Sequence, residues 1–142
     1  QLANIQPQMN VLDLGCGTGT LTLMIKQAHP EANVTGLDGD PQVLGIAREK
    51  SRGVDIHWDE GLASSLPYPD SVFDRVVTSL VIHHLVTDDK RRAFKEIHRV
   101  LKPNGELHIL DVSQHFRGRS LDRRHRRQCV RSAVVLQPGG RG

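Results

Sequence analysis

The residues whose types and spacing could carry chemistry begin with glycines near the N-terminus. Gly15, Gly17 and Gly19 occupy alternate positions, directly after the apolar run VLDL and directly before a segment with helical spacing. Glycines at such a place let the backbone turn tightly and let a ligand lie against the main chain. The N-terminus of the following helix offers amide donors and a partial positive charge to a carboxylate. A dinucleotide fingerprint would have a further glycine at position 20, which is Thr20, so the motif indicates a different ligand.

Two carboxylates accompany this turn. Asp13 lies inside the apolar run, where loop amides or a ligand amine could satisfy it; the alternative is a structural aspartate that holds the loop. Asp38 closes a second apolar run, 19 positions after Gly19. A carboxylate there can accept both hydroxyls of a ribose, and the alternative is an ordinary turn acid. Asp40, which precedes Pro41, is better explained as a helix cap.

A pair of histidines offers acid–base chemistry. His83 and His84 follow the fourth apolar run, and one imidazole could orient or deprotonate a second substrate because its ordinary pKa is near neutral. We prefer His83; the alternative is a loop histidine bonded to the backbone. The remaining histidines and the two cysteines show no metal-ligand spacing, so no metal site is predicted.

The elements that must position these residues alternate between strand and helix. Apolar runs predict strands at 11–14, 32–37, 54–58, 72–79 and 106–112. Helices are predicted from Gly19 to His29, from Asp40 to about Arg52, and from Thr87 to a terminator at 102–105, with a short turn or helix at 80–85. This alternation predicts an α/β fold with a doubly wound, mainly parallel, Rossmann-like sheet. Ligands of such sheets bind at the carboxyl ends of the strands.

The pattern changes after Gln114. Residues 116–142 carry eight arginines and one acid, whereas residues 1–115 have an excess of acids. We therefore predict a core at 1–115, a sheet truncated after its fifth strand, and an irregular or disordered tail at 116–142. The alternative is one more strand at 130–136. An uncovered fifth strand would also predict self-association through its edge.

Composition places the chain among ordinary globular domains. It has 142 residues, 37% hydrophobic and 25% charged, which fits a single domain. No apolar run approaches the roughly 20 residues that span a bilayer, and no signal segment is recognisable. Two distant cysteines predict a reducing, cytoplasmic setting.

Four segments resemble a known family in order and spacing: VLDLGCGTGTLT, GLDGDP, LPYPDSVFDRVVTSLVIHHL and EIHRVLKPNGEL. They are similar to class I S-adenosylmethionine-dependent methyltransferases, particularly the small-molecule branch with the ubiquinone- and menaquinone-biosynthesis enzymes. The resemblance covers roughly residues 9–113. It implies methyl transfer from S-adenosylmethionine to a small-molecule acceptor, which should lie on the rim that carries His83.

The resemblance also implies which residues bind the cofactor. The glycine turn, including Cys16, would lie against its methionine portion. Asp13 and the backbone near Ser79 would lie near its amino group. The segments after the second and third strands would meet its ribose and base, through Asp38, Gly39, Leu62 and Ala63.

The sequence departs from the family where an aspartate usually meets the adenine amino group. Four residues before the Leu-Pro of the loop stands Leu62, so this contact is absent or is made by Asp59, Glu60 or the backbone. The family's last strands and N-terminal helices are also not recognisable. An alternative function is therefore a non-catalytic cofactor-binding core, or a truncated fragment of such an enzyme.

Two other classes rank lower. Thr20 and the LDLG strand argue against an NAD-dependent oxidoreductase. The arginine-rich tail could contact RNA phosphates, but the residues after the fourth strand, TSLV, do not match enzymes that methylate base amines. Nucleic acid is therefore not expected as a partner, nor is a membrane.

Overall fold

The computed structural model describes residues 4–79, 87–111 and 131–136. Its elements, in chain order, are β1 (Asn10–Leu14), α1 (Thr20–Ala28), β2 (Asn33–Asp38), α2 (Pro41–Lys50), β3 (His57–Glu60), β4 (Phe73–Ser79), α3 (Thr87–Val100), β5 (Leu101–Asp111) and β6 (Arg131–Leu136). None of the helices in these ranges is long and apolar enough to cross a membrane.

The strands form one sheet in the order β3-β2-β1-β4-β5-β6. The first five strands of that order are mutually parallel, which confirms the predicted doubly wound α/β fold. Because β1 lies between β2 and β4, the direction of winding reverses there. Ligands of open α/β sheets bind at such a switch point.

The two faces of the sheet are covered by different elements. On one face, Ile97 and Val100 of α3 pack with Leu12 and Leu14. On the other face, Ile25 of α1 belongs to a second buried cluster with residues of β1, β2 and β4. Successive β1 residues belong to alternate clusters because side chains of a strand alternate between faces.

The sixth strand corrects the prediction of a sheet truncated after its fifth strand. Arg131–Leu136 pairs antiparallel to β5, in a register that joins Leu107 to Leu136 and Asp111 to Arg131. Residues 131–136 therefore form a strand, as the alternative of one more strand at 130–136 stated, and this part of the tail is not irregular or disordered. The β5 edge proposed for self-association is covered by β6. The other predicted tail residues lie outside the described ranges.

Element boundaries differ from the predicted ones where a long-range contact decides them. The predicted strand at 54–58 lies later, at His57–Glu60, because these residues pair with β2. The predicted terminator at 102–105 lies inside β5, which begins at Leu101 opposite Phe73. A register shift between Phe73 and Arg75 accommodates these residues. Asp40 caps α2 as predicted, since its side chain accepts a hydrogen bond from the Gln42 amide at 2.8 Å.

Trp58 of β3 packs against β2, the glycine before α1 and the C-terminal end of α2. Its indole lies so close to Gly19 and Gly36 that a Cβ at either position would be 2.5 Å from a ring carbon. The indole N–H donates to Ser51 Oγ at 3.0 Å. Both glycines are therefore required by the packing of one aromatic side chain.

Candidate functional site

The ends of three neighbouring strands meet at the switch point. Leu14, the last residue of β1, pairs with Leu37 of β2 and with Thr78 of β4. The turn that follows β1, the carboxylate of Asp38 and the end of β4 at Ser79 therefore lie on the same rim. The sequence-predicted site residues of these three strands are brought together.

The glycine turn is held by the end of β2. The amides of Gly15 and Cys16 both donate to the Leu37 carbonyl, at 2.8 and 2.9 Å. The amide of Gly17 donates to Asp38 Oδ2 at 2.9 Å. Gly17 has a φ of 54°, and a Cβ built there would meet nothing within 4 Å. The turn is thus fixed in position and has open space above its backbone.

Asp38 has a structural and a potential ligand-binding role. Its Oδ2 accepts from Gly17, and its Oδ1 accepts from the amide of Asp40 at 2.9 Å. An ionised carboxylate offers about four lone-pair sites, and this one is only partly buried. The two amides therefore orient the carboxylate and leave it able to accept ligand hydroxyls.

Asp13 is buried to 1% exposure beneath the turn. Thr22 of α1 donates to its Oδ2 at 2.7 Å, whereas its Oδ1 has no hydrogen-bond partner among the described residues. Burial, opposed by the Thr22 hydrogen bond and assisted by the charge of Asp38, raises the pKa of Asp13 to about 6. Thr22 was not predicted from the sequence; a threonine on the buried face of α1 was the available signal.

Cys16 lines the turn without being a nucleophile. Burial, followed by the negative charges of Asp13 and Asp38, raises the pKa of its thiol to about 12. A thiol is reactive as its thiolate, so the protonated, uncharged Cys16 side chain is not a nucleophile.

The loop after β3 approaches Asp38 from the side away from the glycine turn. The amide of Gly61 donates to the Asp38 carbonyl at 3.1 Å. Leu62 is 62% exposed, and its Cδ2 would be 3.1 Å from a Cβ built on Gly39. Ala63 packs against the α3-side core. Gly39 and Leu62 therefore lie beside Asp38, and Ala63 follows Leu62 in the same loop; that these residues contact a cofactor stays a prediction.

Asp59 is occupied within the protein. Its Oδ2 accepts from the Tyr68 hydroxyl at 2.8 Å, and its Oδ1 lies 3.0 Å from His57 Nε2. Burial and this carboxylate raise the pKa of the Tyr68 hydroxyl. Glu60, the other acid considered for the adenine contact, is exposed and pairs in register with Asp38.

A salt bridge on α3 anchors this loop, and the sequence analysis missed it. Glu96 Oε2 accepts from the Leu66 amide at 2.8 Å. Arg99 donates to the carbonyls of Leu66 and Tyr68, at 3.1 and 2.7 Å, and to Glu96 at 2.9 Å. Hydrogen bonding from Arg99 is the main cause that lowers the pKa of Glu96. These contacts hold the loop against α3.

Residues 11–105 match a family described as the methyltransferase domain. The chain belongs to this family. Membership confirms the predicted resemblance to class I S-adenosylmethionine-dependent methyltransferases, and S-adenosylmethionine is the cofactor that goes with it. The glycine turn and Asp38 both lie within the matched residues.

Individual relatives of the methyltransferase domain agree. A demethylmenaquinone methyltransferase from Listeria welshimeri is 38% identical over 118 residues, which are 80% of this chain and 49% of that protein. A structure of a protein from Pyrococcus horikoshii has a TM-score of 0.70 at 31% identity, over 77% of this chain and 51% of that one. A S-adenosylmethionine-dependent methyltransferase from Methanosarcina mazei has a TM-score of 0.69 at 28% identity, over 78% and 56%. The chain spans about half the length of the curated relatives it matches.

The predicted catalytic residue of the methyltransferase domain, His83, lies outside the described residues. Ser79 is the last described residue of β4, and the neighbouring Thr78 fixes this strand end by donating from its hydroxyl to the Leu14 carbonyl at 3.1 Å. The backbone of Ser79 thus borders the switch point, and the role of His83 stays a prediction.

Proposed function

We propose that this chain binds S-adenosylmethionine along the rim and transfers its methyl group to a small-molecule acceptor. The observation that carries the proposal is the 2.9 Å hydrogen bond between the Gly17 amide and Asp38 Oδ2. This bond joins the glycine turn, which has free space above Gly17, to the Asp38 carboxylate, which is positioned to accept ribose hydroxyls. A single nucleoside ligand with a carboxylate tail fits both.

Each end of the cofactor has described residues that suit it. The turn from Gly15 to Gly19 faces the methionine portion, and the backbone at Ser79 borders it. Asp13 provides a negative charge for the amino group, since its buried Oδ1 has no partner among the described residues. Asp38 accepts the ribose hydroxyls. Beyond it, the segment with Gly39, Leu62 and Ala63 faces the base.

The chemistry asked of the protein is alignment. When bound, S-adenosylmethionine supplies a methyl group already activated by its sulfonium. The rim residues fix the orientation of the bound cofactor, and orientation alone can lower a barrier by several kcal/mol. His83 is the proposed group for holding or removing the acceptor's proton.

The acceptor we propose is of the demethylmenaquinone kind. The support is the name of the curated relatives, which are 38% identical over most of this chain. The four sequence motifs lead to the same branch. A cytoplasmic location is part of this proposal and agrees with the use of cysteine.

Calorimetry with S-adenosylhomocysteine tests cofactor binding, and transfer of labelled methyl to a demethylmenaquinol tests catalysis. We expect one binding site per chain and label in the extracted quinol. Absence of heat and of a thermal shift at millimolar ligand, with the protein folded, would contradict cofactor binding. Binding without label transfer would support the non-catalytic alternative.

A further inference from the structure

The part of the rim beyond Asp38 decides how the base of the cofactor is recognised. A carboxylate at the end of the second strand takes the ribose in sheets of this kind. The glycine turn lies on the β1 side of Asp38. The base must therefore extend to the opposite side, over the loops that follow β2 and β3.

The side chain next to Gly39 in this region belongs to Leu62 and is apolar. Leu62 leaves 62% of its surface exposed; a single exposed leucine is ordinary on a protein surface, and what matters here is that this one is accessible beside Asp38. It rests against Gly39, the residue directly after Asp38. Gly39 and Leu62 together present an apolar surface next to Asp38, the carboxylate proposed for the ribose.

Of the two neighbouring acids, Asp59 is already engaged within the protein. Both oxygens of Asp59 are engaged, by the Tyr68 hydroxyl and by His57. Asp59 also pairs with Leu37, one residue before Asp38. Side chains alternate between the two faces of a sheet along each strand. Asp59 and its neighbour, the residue paired with Asp38, therefore point to opposite faces. That residue is Glu60, which is the competing candidate.

We propose that Leu62 is a specificity-determining residue that makes base recognition apolar. The base packs on Leu62, and its 6-amino group meets no side-chain acceptor, so the domain discriminates little between adenine and purines that lack this group. The proposal rests on the proposed function, because it requires the cofactor to lie along the rim.

The test compares two ligands by calorimetry on the full chain. They are S-adenosylhomocysteine and its analogue in which hydrogen replaces the 6-amino group; both retain the same ring nitrogens. We expect dissociation constants within about threefold of each other. Leu62→Asp should favour adenine by about tenfold or more, the usual effect of a hydrogen bond to a charged group.

Leu62→Met is the matched control, since it keeps an apolar contact and should keep the two affinities within about threefold. The high exposure of position 62 makes both variants compatible with folding, which thermal midpoints verify. An adenine preference of tenfold or more in the unmodified chain would overturn the proposal. Loss of that preference in Glu60→Gln would then identify Glu60 as the acceptor.

An unchanged affinity ratio in Leu62→Asp would also overturn the proposal, because the base would then lie elsewhere. Failure of the proposed function gives a different result. In that case the unmodified chain would show no heat with S-adenosylhomocysteine, and the inference would fall with it.

Discussion

Asp38 shows how a single carboxylate can shape a turn and serve a ligand. Its two oxygens accept backbone amides from opposite sides, from Gly17 and from Asp40. Removing the carboxylate therefore releases the turn as well as a ligand contact, and a suitable variant must separate these effects.

We expect Asp38→Ala to weaken S-adenosylhomocysteine binding by about 1.5–3 kcal/mol, because hydrogen bonds to a charged group are lost. Asp40→Ala is the control: it removes a helix cap on the same loop without touching the ribose position. Calorimetry measures both affinities. Equal losses in the two variants would show that the loss comes from a disturbed loop after β2 and not from contacts of the Asp38 carboxylate with the ligand.

The buried carboxyl of Asp13 makes stability depend on pH. Its pKa is raised to about 6 from 3.8, so between about pH 4 and pH 6 the folded state holds a proton that the unfolded chain releases, and above that range Asp13 is ionised in both states. Stability from this group is present below about pH 4, falls as the pH rises, and is constant again above about pH 6.

Asp13→Asn removes this titration while keeping an oxygen that can accept from Thr22. The unfolding free energy of the unmodified chain should fall by roughly 2 kcal/mol relative to the variant between pH 4 and pH 7. Urea titrations at both pH values measure this. Parallel pH dependence in the two proteins would show that Asp13 is not protonated in the folded state.

His83 is tested best against its neighbour. If it holds or removes the proton of the acceptor, His83→Gln should lower kcat about 100-fold with little change in cofactor affinity. His84→Gln should leave kcat within a few fold. A reversed pattern would move the role to His84, and two small effects would show that the acceptor needs no base.

At the scale of elements, α3 acts on the site through the loop that it anchors. Arg99 and Glu96 bind the backbone of Leu66 and Tyr68, and the same loop carries Leu62. The side chains of this pair are 30% and 20% exposed. Their hydrogen bonds to backbone groups make the pair more than a surface salt bridge.

Arg99→Met should lower the unfolding free energy by about 1–2 kcal/mol, since two loop carbonyls lose a charged donor. The chain contains a matched control in Arg52, which pairs with Glu49 at the same spacing but with both side chains mostly exposed. Arg52→Met should cost less than about 0.5 kcal/mol. Equal costs in denaturant titrations would contradict the anchoring role.

Local signals predicted the elements better than their limits or their connections. The cap at Asp40 and the turn of glycines are encoded within a few residues, and both are observed. The Glu96–Leu66 contact joins residues 30 positions apart, and the local sequence around either residue does not predict the contact. Likewise, the engagement of Asp59 by Tyr68 depends on how the loop folds back, which local pattern does not specify.

At the scale of the whole molecule, β6 makes part of the arginine-rich tail a strand of the sheet. The arginine density and the missing helical or strand period predicted an irregular tail, and a sheet that ends at its fifth strand predicted an open edge. The antiparallel pairing of Arg131–Leu136 with β5 joins residues that are 20 to 29 positions apart in the chain. The six residues of β6 are partly apolar and partly polar, and their local pattern does not indicate which strand they pair with.

Removing residues 131–142 should therefore uncover the β5 edge. We expect the thermal midpoint to fall by several degrees and concentration-dependent association to appear, because an open strand edge pairs with other chains. Removing only 137–142 is the control and should leave both properties unchanged. Sedimentation and thermal unfolding that do not distinguish the two truncations would show that β6 adds nothing to the sheet.

The close packing of Trp58 on Gly19 and Gly36 also gives the protein a built-in optical reporter. Trp58 is the sole tryptophan of the chain, so its emission arises from one place, directly beside the turn proposed to hold the cofactor. A ligand that tightens this turn should change the intensity or wavelength of that emission, with no label attached. Unfolding should shift it to the red as the indole enters water, and one fluorescence signal would then follow both binding and folding.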